Sequence, residues 1–249
     1  VKVALAEAAL APIKRSRAWV EKVMGGALKG PDGSDVKIYA INTGFGSLAR
    51  VHLPLEKSHL LQRNLIVSHS SGVGEEVPLE VVRAMMLLRA NTLAKGASGV
   101  RLELIETLME MINRDVVPSV PCQGSVGSSG DLAPLSHMAL VLIRAPEGED
   151  REDESGWAWY QGQRMTGLKA MAQAGIERIV LEAKEGLALN NGAQLSAAFG
   201  ALSLWRARRV MERAELAAAM TLEALYGVTR AFHPLVHRLR PLQGQGITA

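Results

Sequence analysis

The segment Gly124-Ser125-Val126-Gly127-Ser128-Ser129-Gly130-Asp131-Leu132 is the part of this 249-residue chain richest in residues that could do chemistry. Its glycines follow G-x-x-G-x-x-G, which departs from the dinucleotide fingerprint, and no evident strand leads into them. No Lys-Ser/Thr pair follows, so it is not a phosphate loop of the NTPase kind. A serine-hydrolase elbow needs one residue between its nucleophile and the closing glycine, whereas Gly130 follows Ser129 directly. Two readings remain. One is a flexible loop whose Asp131 caps the helix behind it. The other is covalent: with no Cβ to block it, the Gly130 nitrogen can fold back onto the Ser128 carbonyl carbon. Ring closure with loss of water, followed by dehydration of Ser129, would leave a methylidene-imidazolone. That group is an electrophile, whereas side chains supply nucleophiles, acids and bases.

The elements that must hold this loop read as mostly helical. Hydrophobic residues make up 48% of the chain and aromatics only 4%. This aliphatic balance favours helices over a β-sandwich and excludes intrinsic disorder. Spacing predicts a helix over residues 1–24 ending at Gly25-Gly26, a turn-rich loop at 29–35, and a short β-leaning run at 36–41. Pro78 opens a helix through Val82, Met85, Met86 and Leu88 that stops at Gly96. Ser98 is placed to cap the next, whose Leu102, Ile105, Leu108, Met109 and Ile112 recur at helical spacing. Asp131 starts a helix reaching Ile143. The acidic run 147–154, with Arg151 as its only counter-charge, reads as a solvated loop, and an alanine-rich helix is expected over 191–227.

Several function classes drop out. A single cysteine, Cys122, excludes an internal disulfide and a cysteine-cage zinc site. The six histidines show no metal spacing, and Pro234 between His233 and His237 argues against a helical ligand pair. Arg206, Arg209 and Arg213 share a helix face, but only Trp205 lies among them, and a net charge of +3 is nearly balanced. A solvated or subunit-facing stripe is expected there rather than a nucleic-acid surface. No apolar run approaches the ~20 residues of a membrane helix, and the N-terminus is a poor signal peptide, so a soluble cytoplasmic protein is expected.

GSVGSSGDLAPLSH resembles the signature of the aromatic amino acid lyases, in which Ala-Ser-Gly cyclises into the methylidene-imidazolone. Four further blocks resemble that family in the same order: residues 39–46 (YAINTGFG), 64–74 (NLIVSHSSGVG), 82–91 (VRAMMLLRAN) and 184–192 (KEGLALNNG). Within it, Ser68-His69 looks most like the histidine ammonia-lyases. A histidine can hydrogen-bond a polar substrate ring, as an apolar pair cannot. Tyrosine aminomutases can share the Ser-His arrangement.

The resemblance implies elimination of ammonia from L-histidine to give trans-urocanate. A group built from Ser128, Ser129 and Gly130 would activate the substrate amine, Tyr39 would be the base for the β-proton, and His69 and Asn191 would bind substrate. Each residue has a plainer reading: a half-buried strand tyrosine for Tyr39, a helix-dipole contact for His69, an N-cap for Asn191. Tyrosine or phenylalanine ammonia-lyase, tyrosine 2,3-aminomutase and a non-catalytic helical scaffold stay open as alternatives. Ser128 stands where the family has Ala, a change expected to leave cyclisation possible.

The fold implied is mainly α, akin to the aspartase-fumarase group. Residues 1–190 are expected to form an N-terminal domain bearing the loop, and 191–249 to begin a long central helix bundle. Neither metal nor nucleotide is implied. The partners implied are a small amino acid and further copies of the chain, a homotetramer for the full-length protein, with no nucleic acid or membrane. The abrupt end at Ala249 suggests the N-terminal part of a longer enzyme, inactive alone.

Overall fold

The computed structural model describes residues 2–52, 54–127, 129–148 and 150–248. The chain divides into two compact units, Val1–Phe199 and Gly200–Ala249.

The first unit is a helical assembly with two small sheets. Its helices are α1 (Glu7–Met24), α2 (Ser58–His69), α3 (Leu79–Ala94), α4 (Leu102–Asn113), α5 (Leu132–Leu142), α6 (Gly167–Gln173) and α7 (Glu185–Asn190), with the first turn of α8 (Gln194–Ala224). Helix α3 starts after Pro78, which fixes its own φ and needs no donor there, and it ends before Gly96 as the spacing predicts. Helices α3 and α4 pack on each other, and α5 packs on α2, α6 and α7. Met85, Met86 and Leu93 of α3, Leu104, Ile105, Leu108 and Met111 of α4, and Leu135, Met138 and Leu142 of α5 are essentially inaccessible. Each such side chain contributes ~1.5–3 kcal/mol of burial free energy.

Strands β1 (Val73–Glu76) and β3 (Pro121–Gln123) pair antiparallel, and β2 (Val117–Pro118), β4 (Trp157–Tyr160) and β5 (Gln163–Thr166) form an antiparallel sheet in the order β2-β4-β5. The β4–β5 hairpin turns at Gln161-Gly162 with φ of 50° and 75°, the pair of positive angles a tight hairpin turn demands. The Glu76 carboxylate joins the sheets, accepting from Ser119 Oγ, Trp159 Nε1 and Arg164 Nε, each at 2.6 Å. Burial opposes its charge, but these donors outweigh burial and hold it below the usual carboxylate range.

Five local expectations change, the first being that the helix expected over 1–24 begins at Glu7. Residues 36–38 are irregular and 39–42 a turn rather than a strand, because the Asn42 side chain accepts Ile38 N–H (2.7 Å) and donates to Val36 O (2.8 Å). Ser98 caps nothing: α4 begins only after Arg101, whose backbone N–H is taken by Glu185. The acidic run is paired in space, with Glu154 on Arg63, Asp150 on Arg178 and Glu152 on Lys169 (2.6 Å). The alanine-rich helix starts at Gln194 and ends at Ala224, with α7 as a separate short helix before it.

In the second unit the rest of α8 is followed by α9 (Pro234–Leu239) and α10 (Gln243–Thr248). Arg209 lies over the Trp205 ring at 4.7 Å, and His233 caps α9 by accepting Leu235 N–H at 3.2 Å. No helix among the described residues is long and apolar enough to cross a membrane.

Candidate active site

Two backbone segments distant in sequence meet at the glycine-serine loop. Asn191 Nδ2 donates to Ser129 O at 3.2 Å, and Asp131 N–H donates to Gly192 O at 2.6 Å. Ser129 has φ 63° and Gly130 φ 104°, so the chain folds back on itself here. A Cβ on Gly130 would overlap the Gly192 carbonyl, with its carbon only 2.6 Å away. Only glycine permits both this φ and this approach. Ser128 lies outside the described residues. The described part of the segment fits a ring derived from the chain: a folded-back glycine, an exposed serine, and an amide braced on that serine's carbonyl.

Asp131 sits at the N-cap of α5, but its carboxylate does not cap. It accepts from Ser196 N–H (2.8 Å), Ser196 Oγ (2.8 Å) and Ser125 Oγ (3.2 Å). This buried carboxylate therefore ties the loop to the first turn of α8 instead of finishing its own helix. The expected N-cap role of Asn191 also fails, since α8 begins three residues later; its side chain serves the loop.

His69 ends α2. Its Nδ1 lies 2.8 Å from Leu65 O, and a carbonyl only accepts, so Nδ1 carries the proton. In the neutral ring Nε2 is then the acceptor, and no hydrogen bond among the described residues engages it. The end of α2 reaches the base of the loop, where a Cβ on Gly124 would lie 2.9 Å from Gly72 Cα. Tyr39 is 45% exposed, edge-on to Phe45 at 6.1 Å, and its hydroxyl accepts from Gly46 N–H at 3.3 Å. It stands on a turn, so the strand reading of this residue is corrected. The structure thus brings Ser129, Gly130 and Asn191 into contact. No hydrogen bond among the described residues joins Tyr39 or His69 to them.

Spacing alone did not reveal several residues that support this site. Ser125 and Ser196 hold Asp131, and His137 Nε2 accepts Gly72 N–H at 3.0 Å, steadying the chain just beyond His69. His137 hid beside Ser136 on the otherwise apolar helix α5. Burial lowers its pKa from 6.5. The unfolded chain therefore takes up this proton more readily than the folded one. Its stability contribution is complete above pH ~6.5 and is lost as pH falls from there towards the lowered folded value. Urea midpoints measured from pH 8 to 5 should fall less steeply for His137→Gln, which keeps an acceptor without titrating. Equal slopes in the two proteins would refute this.

No cluster of His, Cys, Asp or Glu suited to a metal occurs among the described residues. Ser129 and Asn191 are exposed and Val126 is 90% exposed, so the loop is open to solvent within this chain.

Known proteins share both sequence and fold. Histidine ammonia-lyase of Gloeobacter violaceus is 49% identical over 249 residues, covering 100% of this chain and 45% of that protein. The structure of histidine ammonia-lyase from Trypanosoma cruzi superposes with a TM-score of 0.85 at 36% identity, covering 99% of this chain and 45% of the other. Tyrosine aminomutase from Streptomyces globisporus gives a TM-score of 0.86 at 34% identity, over 100% and 43% of the two chains. The chain thus spans less than half the length of these relatives. The family model described as aromatic amino acid lyase matches residues 1–249. With a mainly helical fold, a folded-back Ser-Gly loop braced on Asn191 and a match along its whole length, the chain belongs to the aromatic amino acid lyase family.

Proposed function

We propose that these residues serve an ammonia-lyase that eliminates ammonia from L-histidine to give trans-urocanate. The observation that carries this is the brace of Asn191 Nδ2 and Gly192 O on the Ser129–Asp131 backbone. It holds in place the segment from which a methylidene-imidazolone would form, with Ser128 contributing the remaining atoms. Once formed, that group supplies an electrophilic centre that no side chain offers.

The chain's own residues do the rest. Asn191 orients the loop from one side, its own backbone N–H held by Leu187 O at the end of α7. His69 offers Nε2 as an acceptor, which suits the ring N–H of a histidine substrate. Tyr39 is assigned to remove the β-proton at its Oη, on an exposed turn that substrate can reach. Because the loop is open in this chain, we assign the exclusion of water to chain beyond these elements and to further copies, consistent with a homotetramer. In this reading the segment from Asn191 onward begins the central helix bundle.

An acceptor at His69 would also take the phenol O–H of tyrosine, so a tyrosine lyase or tyrosine 2,3-aminomutase is the second reading, and a non-catalytic scaffold the third. The names borne by relatives at about half identity favour histidine. The test offers L-histidine, L-tyrosine and L-phenylalanine to the whole protein containing this chain and separates the products. Urocanate should form from histidine, with turnover reduced ~10³-fold or more in Ser129→Ala. Product from tyrosine without urocanate would overturn the histidine assignment, and an unimpaired Ser129→Ala protein would overturn the electrophile.

A further inference from the structure

Arg89 occupies a core position. It lies on the same face of α3 as Met85, Met86 and Leu93, all fully buried, and is itself 2% exposed. No carboxylate pairs with it in contact among the described residues; Asp131 offsets its charge from a distance. Its Nη1 donates to Ala188 O at 3.1 Å and to Asn191 O at 3.3 Å, the carbonyls at the end of α7 where the helix dipole is negative. Nε and Nη2 find no acceptor among the described residues. Burial lowers the guanidinium pKa to about 10, so it stays cationic at neutral pH.

Gly192 is the hinge of the arrangement. A Cβ there would overlap both Arg89 Nη2 and Gln194 Oε1 and lie 3.0 Å from Arg89 Cζ, so the guanidinium and the Gln194 amide share the bare face of this residue. The carbonyl of the same glycine accepts Asp131 N–H, and a Cβ on Gly130 would overlap it. The Asn191–Gly192 backbone is therefore held between a buried cation on one side and the backbone N–H of Asp131 on the other. A residue needed only to fill space would do better as methionine, because burying an unpaired charge is unfavourable and apolar replacements of similar volume are often neutral or stabilising.

We propose that Arg89 is a positioning residue, whose guanidinium fixes the Asn191–Gly192 backbone where it braces the Ser129–Gly130 loop. This deepens the reading of that loop as the site of chemistry and rests on it for its functional meaning. The geometric claim can be tested apart from that reading. In a Ser129→Ala background the methylidene cannot form, and an intact mass equal to that of the unmodified chain verifies that the loop has not cyclised, so amide exchange then reports only on the brace. With Arg89→Met, peptides covering 124–134 and 188–196 should exchange roughly tenfold faster, while the core of α4 keeps its parent rate. Arg89→Lys should recover part of the protection, since an ammonium reaches a carbonyl but is no rigid fork. Unchanged loop exchange in Arg89→Met, or an equal rise in α4, overturns the proposal.

If Arg89→Met does not fold, Gly192→Ala, compared with Gly192→Ala/Gln194→Ala in which the second side chain its Cβ meets is removed, crowds the guanidinium without removing its charge and must give the same local rise in both. Parent-like loop exchange in either variant overturns the proposal as well. With Ser129 restored, intact mass should show the loss of two waters in the parent and a smaller modified fraction in Arg89→Met. Equal modified fractions count against positioning. If the parent loses no water, the ring-forming reading fails, and the exchange result still decides the role of Arg89.

Discussion

Replacing Glu185 by alanine should destabilise the fold by ~3–5 kcal/mol, a large share of the 5–15 kcal/mol that holds a typical domain together. Its side chain is wholly inaccessible and carries four donors: Arg101 N–H at 2.9 Å, Arg101 Nε at 3.0 Å, Arg101 Nη2 at 2.8 Å and Glu182 N–H at 2.8 Å. Burial works against the Arg101 cation, yet hydrogen bonding and attraction to Glu185, with Glu103 and Glu182, more than compensate and raise its pKa. Alanine removes the acceptor from two backbone N–H groups and leaves the Arg101 side chain with Glu103 and the Val180 carbonyl alone. Arg101 keeps 25% of its side chain exposed and can turn partly to water, which places the loss nearer the lower figure. Glu185 is also the first residue of α7, the helix whose far end presents Asn191 and Gly192. The urea midpoint should therefore drop at constant m-value, and Glu185→Gln should fall between parent and alanine. A loss below ~1 kcal/mol in Glu185→Ala would show the ion pair to be energetically idle.

What could be read from sequence follows the range of the interactions involved. Helices α3 and α5 were legible because their apolar spacing is local, and Pro78 marks the start of α3. The β4–β5 hairpin was not foreseen, although Trp157, Trp159 and Tyr160 around a Gln-Gly turn are a strand signal that the helical surroundings masked. The irregular stretch and turn over 36–42 replaced an expected strand because one side chain, Asn42, captured the backbone groups a ladder would have used. At the site, resemblance named Ser129 and Asn191, but nothing in composition or spacing could show that residues 62 apart share a hydrogen bond. Asp131 was read as a cap because capping is local, whereas its carboxylate serves Ser196, 65 residues away. Arg89 left one trace, a charge interrupting the apolar stripe of α3. Its acceptors lie 99 and 102 residues on, so only the fold identifies what it holds.

Gly130→Ala should abolish the brace between the loop and α7. An alanine at φ 104° lies outside the small left-handed region open to L-residues, and its Cβ would overlap the Gly192 carbonyl. Either the loop or the end of α7 must move, and the 2.6 Å hydrogen bond from Asp131 N–H to Gly192 O is the first casualty. Gly127→Ala is the natural control. Its φ is 79° and its Cβ would meet nothing within 4 Å, so it carries backbone strain without collision. That strain alone is worth ~1–2 kcal/mol. Gly130→Ala should exceed it by a further ~1–3 kcal/mol in urea unfolding and should raise amide exchange at Asp131. In the whole protein, turnover should fall ~10²-fold or more for Gly130→Ala and remain near the parent for Gly127→Ala. If the two alanines behave alike in stability, exchange and turnover, the close approach of Gly130 to Gly192 does not hold the loop. The Ser129 carbonyl would then depend on Asn191 alone.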